Sequence, residues 1–173
     1  KRMHKGKIIF LDFDGVLNTE HYQGLLQHEG KPWQDEYGAF FDPDAVKQLK
    51  KIIDVTGADI VIESSWKYLG LDAMKELWEV RNLPGRVIDI TPSSVSDKYL
   101  LKTNLGDLGT SMLHSKGMEI ASWLSVKTED IRYVIIDDEY VILDSQLPYF
   151  ILTNSYEGIT EEQANKVISI LNG

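Results

Sequence analysis

Cysteine is absent from this chain of 173 residues. Its absence excludes thiol nucleophiles, thiolate metal sites and a disulfide framework, and it fits a reducing, cytoplasmic setting. Long apolar runs are missing too. Nothing approaches the roughly 20 residues that span a bilayer, so no membrane partner is expected. The basic start, Lys1 to Lys7, leads through only Ile8-Ile9-Phe10-Leu11 before Asp12 follows, which is no secretory signal. Neither a Gly-x-x-x-x-Gly-Lys phosphate loop nor a dinucleotide-binding glycine fingerprint occurs, which argues against NTP-driven and hydride-transfer chemistry. Basic residues are in the minority, 18 against 27 acidic ones, for a net charge of −9. That balance disfavours extended contact with a nucleic-acid duplex but leaves room for one phosphorylated group held locally. The four histidines, His4, His21, His28 and His114, show no metal-ligand spacing.

What is present is the composition of a globular domain: 43% hydrophobic and 26% charged residues. The length fits one domain over residues 1–173 with a core of its own. Short apolar runs alternate with helical patterns, the βαβ rhythm of a parallel sheet covered on both faces. Strands are predicted at Ile8–Leu11, Ile60–Ile62, Val87–Ile90, Tyr133–Ile136 and Tyr149–Leu152. Asp42-Pro43-Asp44 opens a helix that Gly57 ends. A second helix runs from about Leu71 to Asn82, a third carries Met118, Ala121, Trp123 and Leu124, and Thr160 to Gln163 has the capping-box spacing of a last one. Residues 18–41 and 91–115 are the sizeable insertions, the second a long polar loop.

In open parallel sheets, ligands bind beyond the carboxyl ends of the strands. The polar residues that directly follow the apolar runs are therefore the candidates. Asp12-Phe13-Asp14-Gly15 follows the first, with Phe13 turned inward and the two aspartates sharing one side by period-two alternation. Ser64 and Ser65 follow the second, and Asp137-Asp138 the fourth. Lys116 stands at the start of a helix, where a cation opposes the helix dipole and so calls for an anionic partner; Lys98 and Lys102 are its competitors. Clustered carboxylates repel and raise one another's pKa. A divalent cation removes that penalty, and an all-oxygen donor set selects Mg²⁺. Metal, lysine and a free carboxylate together suit phosphoryl transfer, in which catalysis is mostly positioning and charge neutralisation.

The run Asp12-Phe13-Asp14-Gly15-Val16-Leu17-Asn18 resembles the first motif of the haloacid dehalogenase-like (HAD) phosphohydrolases. Ile60 to Lys67 resembles their second motif, Lys116 suits the third, and Ile135-Ile136-Asp137-Asp138 suits the fourth, in the right order along essentially the whole chain. The Ser64-Ser65-Trp66-Lys67 run and the segment Thr153 to Thr160 resemble, more weakly, the HAD domains of bacterial RNA-repair (Swiss Army Knife) proteins. The resemblance implies a three-layer α/β/α Rossmann-like domain, small-capped or capless, with a five-stranded, mainly parallel sheet in the order 3-2-1-4-5. It implies that residues 18–41 form a flap over the site, where His21, Tyr22 and Trp33 are placed either to touch substrate or to pack. It implies an Mg²⁺-dependent phosphatase in which Asp12 is nucleophile and metal ligand. Asp14 is then the general acid and base, with its backbone carbonyl on the metal. Ser64 (or Ser65) and Lys116 hold the phosphoryl oxygens. Asp138 is the favoured direct metal ligand, and Asp137 its indirect partner, though the order could be reversed. The implied substrate is a phosphorylated molecule of open class, a nucleic-acid end or a nucleotide among the candidates.

Rival readings share parts of this pattern. A phosphotransferase would use the same residues with a different acceptor, and a phosphate-binding regulatory module would not need Asp14. A calcium loop would need an oxygen ligand where Val16 stands. A receiver domain places its acidic pair after the first strand, not the fourth. Glu63, an acid at the tip of a buried strand, has no assigned role.

Overall fold

The computed structural model describes residues 6–93 and 115–173. Five parallel strands, β1 (Gly6–Leu11), β2 (Asp59–Ile62), β3 (Val87–Ile90), β4 (Ile131–Asp137) and β5 (Phe150–Leu152), form one sheet in the order β3-β2-β1-β4-β5. This is the order that the resemblance implied. Alternation along β1 divides the core. Ile9 and Leu11 pack on one face with Leu49, Ile52, Met74, Leu77, Val167 and Leu171, while Ile8 and Phe10 pack on the other with Ile120, Trp123 and Ile142. Helices α2 (Pro43–Thr56), α3 (Leu71–Val80) and α5 (Glu161–Asn172) supply the first face, and α4 (Lys116–Ser125) covers the second.

Local chemistry sets the element ends. Asp42 caps α2 by accepting from Asp44 N at 2.9 Å, Pro43 occupies the first turn, and Gly57 closes the helix at φ 68°. Thr160 and Gln163 form the predicted capping box of α5, Thr160 Oγ1 accepting from Gln163 N and Gln163 Oε1 accepting from Thr160 N. Helix α3 ends at Val80, short of Asn82, because the chain turns there with Asn82 at φ 51°.

No helix or strand is predicted within residues 18–41, yet part of the segment is regular structure. It contains α1 (Glu20–His28), capped by Thr19 Oγ1 on Tyr22 N, and a bridge between Gln34 and Ala39. Leu26 is the one buried residue of α1, so its apolar stripe is too thin for periodicity to reveal the helix. Most of the long loop at 91–115, with Lys98, Lys102 and His114, lies outside the described residues, as does His4. Among the described residues no helix is long and apolar enough to cross a membrane.

Leu49 is fully buried between α2 and the sheet. Leu49→Ala is expected to lower the unfolding free energy by about 2–5 kcal/mol in urea titrations, and a loss below about 1 kcal/mol would contradict this packing.

Candidate active site

The parallel register brings the ends of β1, β2 and β4 level, with Leu11 beside Ile62 and Ile136. Hydrogen bonds continue past the strands: Asp12 N donates to Ile136 O at 3.1 Å, and Glu63 N to Leu11 O at 2.9 Å. Asp12, Glu63 and Asp137 therefore leave the sheet at one end. Phe13 turns into the core, its ring edge-on to Trp66 at 5.2 Å and stacked on Trp78 at 5.8 Å, and its carbonyl accepts from Val16, Leu17 and Asn18 to close a tight loop. Gly15, at φ 77°, lies so close to the Asp138 carboxylate that a Cβ there would collide with it. Thr153 Oγ1, just beyond β5, donates to Gly15 O at 2.7 Å and ties down the same loop.

Asp12, Asp137 and Asp138 each offer a carboxylate oxygen within 4.8 Å of the others. Lys116 Nζ lies 2.9 Å from Asp137 Oδ2 and 3.3 Å from Asp12 Oδ2. The anionic partner expected for a lysine at a helix start is thus this carboxylate pair. Burial, then the charge of Asp137, pushes Asp12 up to about 8 against the pull of Lys116. The same two causes raise Asp138. Burial lowers the Lys116 ammonium, but Asp12 and Asp137 outweigh it and hold it above the ordinary lysine range.

One lysine does not neutralise three carboxyl groups, and all the donors are hard oxygens. The donor set fits Mg²⁺. Both oxygens of Asp137 are engaged, Oδ2 by Lys116 and Oδ1 by Glu139 N at 2.9 Å, whereas Asp138 is only half-buried.

Asp14 does not join this group of three. It is exposed, and its Oδ1 accepts from Asn18 Nδ2 at 2.8 Å and from Trp66 Nε1 at 3.2 Å. It nevertheless shares the walls of an open cavity of about 340 Å³ with Gly15, Asn18 and Asp138. Ser64, Ser65 and Lys116 line a second cavity, of about 280 Å³. Ser64 is buried and caps a short 3-10 helix (Ser65–Leu69) by accepting from Trp66 N at 3.2 Å; its own hydroxyl proton remains available to an anion. Ser65 is exposed beside it. His21 is 3.2 Å from the Tyr156 hydroxyl and helps dock α1 on the loop after β5.

Sequence patterns gave no partner for Glu63. It is buried with Lys67, whose Nζ lies 3.1 Å from Glu63, 3.0 Å from Glu119 on α4 and 2.9 Å from the Thr91 hydroxyl, which also bonds Glu63. This cluster ties the end of β2 to the helix that carries Lys116. Its sequence signal was the i,i+4 spacing of Glu63 and Lys67 just past a strand.

A parallel α/β sheet whose central strand ends in Asp-x-Asp-Gly, beside a lysine and a second acidic pair, defines the HAD class. The family model described as the HAD domain in Swiss Army Knife RNA repair proteins matches residues 8–164, and the chain belongs to that family. Among solved structures, one similar chain is a Legionella pneumophila protein assigned to subfamily III A of the HAD superfamily hydrolases. It is 12% identical, the match covers 97% of this chain and 84% of that one, and the TM-score is 0.37. No curated protein matches the sequence.

Burial, then the Glu119 carboxyl, pushes Glu63 up to about 9 against the pull of Lys67. A carboxyl raised from its ordinary 4.5 contributes stability that is complete below that pH and is lost as pH rises through the folded value. Relative to Glu63→Gln, the native protein is expected to lose stability between about pH 4.5 and pH 9 in denaturant titrations. A pH-independent difference between the two would contradict the buried cluster.

Proposed function

We propose that the chain is an Mg²⁺-dependent phosphomonoester hydrolase, working as one domain through an aspartyl-phosphate on Asp12. The observation that carries this reading is the bridge of Lys116 between Asp12 and Asp137 with the Asp138 carboxylate alongside. A buried carboxyl pushed up to about 8 is a poor nucleophile near neutrality unless cations return it to its ionised form. The pull of Lys116 is already part of that value, so a further cation is what the site calls for. Asp12, Asp138 and the Asp14 backbone carbonyl would hold the Mg²⁺, with Asp137 acting through Lys116 and solvent. When bound, the metal ion supplies charge neutralisation for the carboxylates and the phosphoryl group.

In this reading Ser64 and Lys116 hold the phosphoryl oxygens through their O–H and N–H groups, and Ser65 is the competitor for that role. An Asp12 carboxylate oxygen attacks phosphorus as the bond to the leaving oxygen breaks, and Asp14 gives that oxygen its proton. Asp14 then takes a proton from water, whose oxygen attacks the same phosphorus and frees Asp12 and inorganic phosphate. Asp14 faces the open cavity it shares with Asp138, on the side from which a leaving group and then water can arrive. The family name, which places such domains in RNA-repair proteins, supports a phosphorylated nucleic-acid end as substrate. The charge of −9 supports contact confined to that end.

Phosphate release from para-nitrophenyl phosphate is expected with Mg²⁺ and not with EDTA. Asp12→Asn should lower it by about three orders of magnitude or more, the scale on which losing a nucleophile acts. Activity that survives EDTA or Asp12→Asn would overturn the reading. Oligonucleotides phosphorylated at the 3′ or the 5′ end then test the substrate class.

A further inference from the structure

The indole of Trp66 is placed with more care than packing alone requires. Its ring meets Phe13 edge-on at 5.2 Å and Phe41 at 5.7 Å. On the outer side Gly38, at φ 141°, sits so close that a Cβ there would lie 2.6 Å from the ring. That segment is clamped by Arg81, which donates to both oxygens of Asp35 at 3.0 and 2.7 Å and to the carbonyls of Gly38 and Ala39. The ring is therefore fixed between the loop after β1 and residues 35–39. Held there, its N–H points at Asp14 Oδ1. The buried Trp78, by contrast, gives its N–H to the backbone carbonyl of Pro84.

Asp14 Oδ1 thus receives two donors, Trp66 Nε1–H and Asn18 Nδ2–H. An oxygen that accepts two N–H groups does not also carry a proton aimed at them, so a protonated Asp14 bears its hydrogen on Oδ2. The two donors together restrain Oδ1 more than either would alone.

We propose that Trp66 is a positioning residue for Asp14. With Asn18, it keeps Oδ1 as a fixed acceptor and leaves Oδ2 as the single oxygen that exchanges protons. This rests on the hydrolase reading above, in which Oδ2 protonates the leaving oxygen as its bond to phosphorus breaks and recovers a proton from the attacking water. The arrangement also makes the clamp between Asp35 and Arg81 a remote support of the acid, acting through the indole.

The test replaces Trp66 at that one site with 3-benzothienylalanine, which keeps the ring shape and exchanges the N–H for sulfur. Trp66→Phe and Asp14→Asn are measured beside it, on para-nitrophenyl phosphate and on an alkyl phosphate, with Mg²⁺. Loss of a well-placed general acid matters most for poor leaving groups, so the analogue should lose about tenfold or more in kcat on the alkyl ester. On para-nitrophenyl phosphate it should lose no more than about threefold, and KM should stay within about twofold on both. A wild-type rate on both esters would mean that the indole only packs, and equal losses on both would deny it a hold on the acid; either overturns the proposal. If Asp14→Asn fails to discriminate between the esters, the acid assignment falls and this proposal with it. If Asp14→Asn discriminates and the analogue does not, the role of Trp66 alone falls. A readout that needs no turnover is the Trp66 indole N–H resonance. Asp14→Asn should shift it more than those of Trp33, Trp78 and Trp123, and an unmoved signal would overturn the contact.

Discussion

Three carboxyl groups stand within reach of one another at the end of the central strands, two of them almost fully buried. The arrangement is unfavourable without compensation. Burial and mutual repulsion push Asp12 well above the usual carboxylate range and raise Asp138 as well. Lys116 offsets part of this from the first turn of α4, a position where a lone cation is unfavourable. The helix pays with its own dipole for a charge that the carboxylates need, which ties the placement of α4 to the chemistry of β1 and β4. The shortfall that remains is the physical case for a divalent cation.

The turn after β2 carries three side chains that bear on the candidate site. Ser64 caps it and faces the cavity that Lys116 lines, Trp66 reaches across to Asp14, and Lys67 turns down into the cluster with Glu63, Thr91 and Glu119. Ser64 and Lys67, three residues apart, both line that cavity, as the three-residue repeat of a 3-10 helix allows, while the Trp66 N–H is directed to Asp14. The buried cluster spans β2, the end of β3 and α4, and so fixes the separation of Ser64 from Lys116. Removing Lys67 alone would leave two acids without their cation, a change expected to cost more than the pair contributes.

Much of this was legible in the sequence. Buried parallel strands read as apolar runs, and residues just past their ends sit together by topology, so Asp12, Ser64 and Asp137 could be brought to one end from spacing alone. Lys116 was legible because its position is unfavourable without a partner. Period-two alternation failed beyond Leu11, however. The chain leaves the strand for a tight loop, so Asp14 is carried out of the carboxylate group towards Asn18 and Trp66. The cluster around Lys67 was hidden because it depends on contacts between β2, β3 and α4 that no local pattern encodes. Helix α1 was hidden because it docks through backbone bonds, Glu20 N to Ser155 O and His21 N to Tyr156 O, and buries little apolar surface.

The most direct test of the central claim is to trap the covalent intermediate. The protein would be turned over with para-nitrophenyl phosphate and Mg²⁺, quenched with borohydride and digested for mass spectrometry. Borohydride reduces an acyl phosphate to an alcohol, so homoserine at position 12, dependent on substrate and at no other aspartate, is the predicted result. Turnover without homoserine at position 12, or homoserine at Asp14, Asp137 or Asp138 instead, would contradict the account.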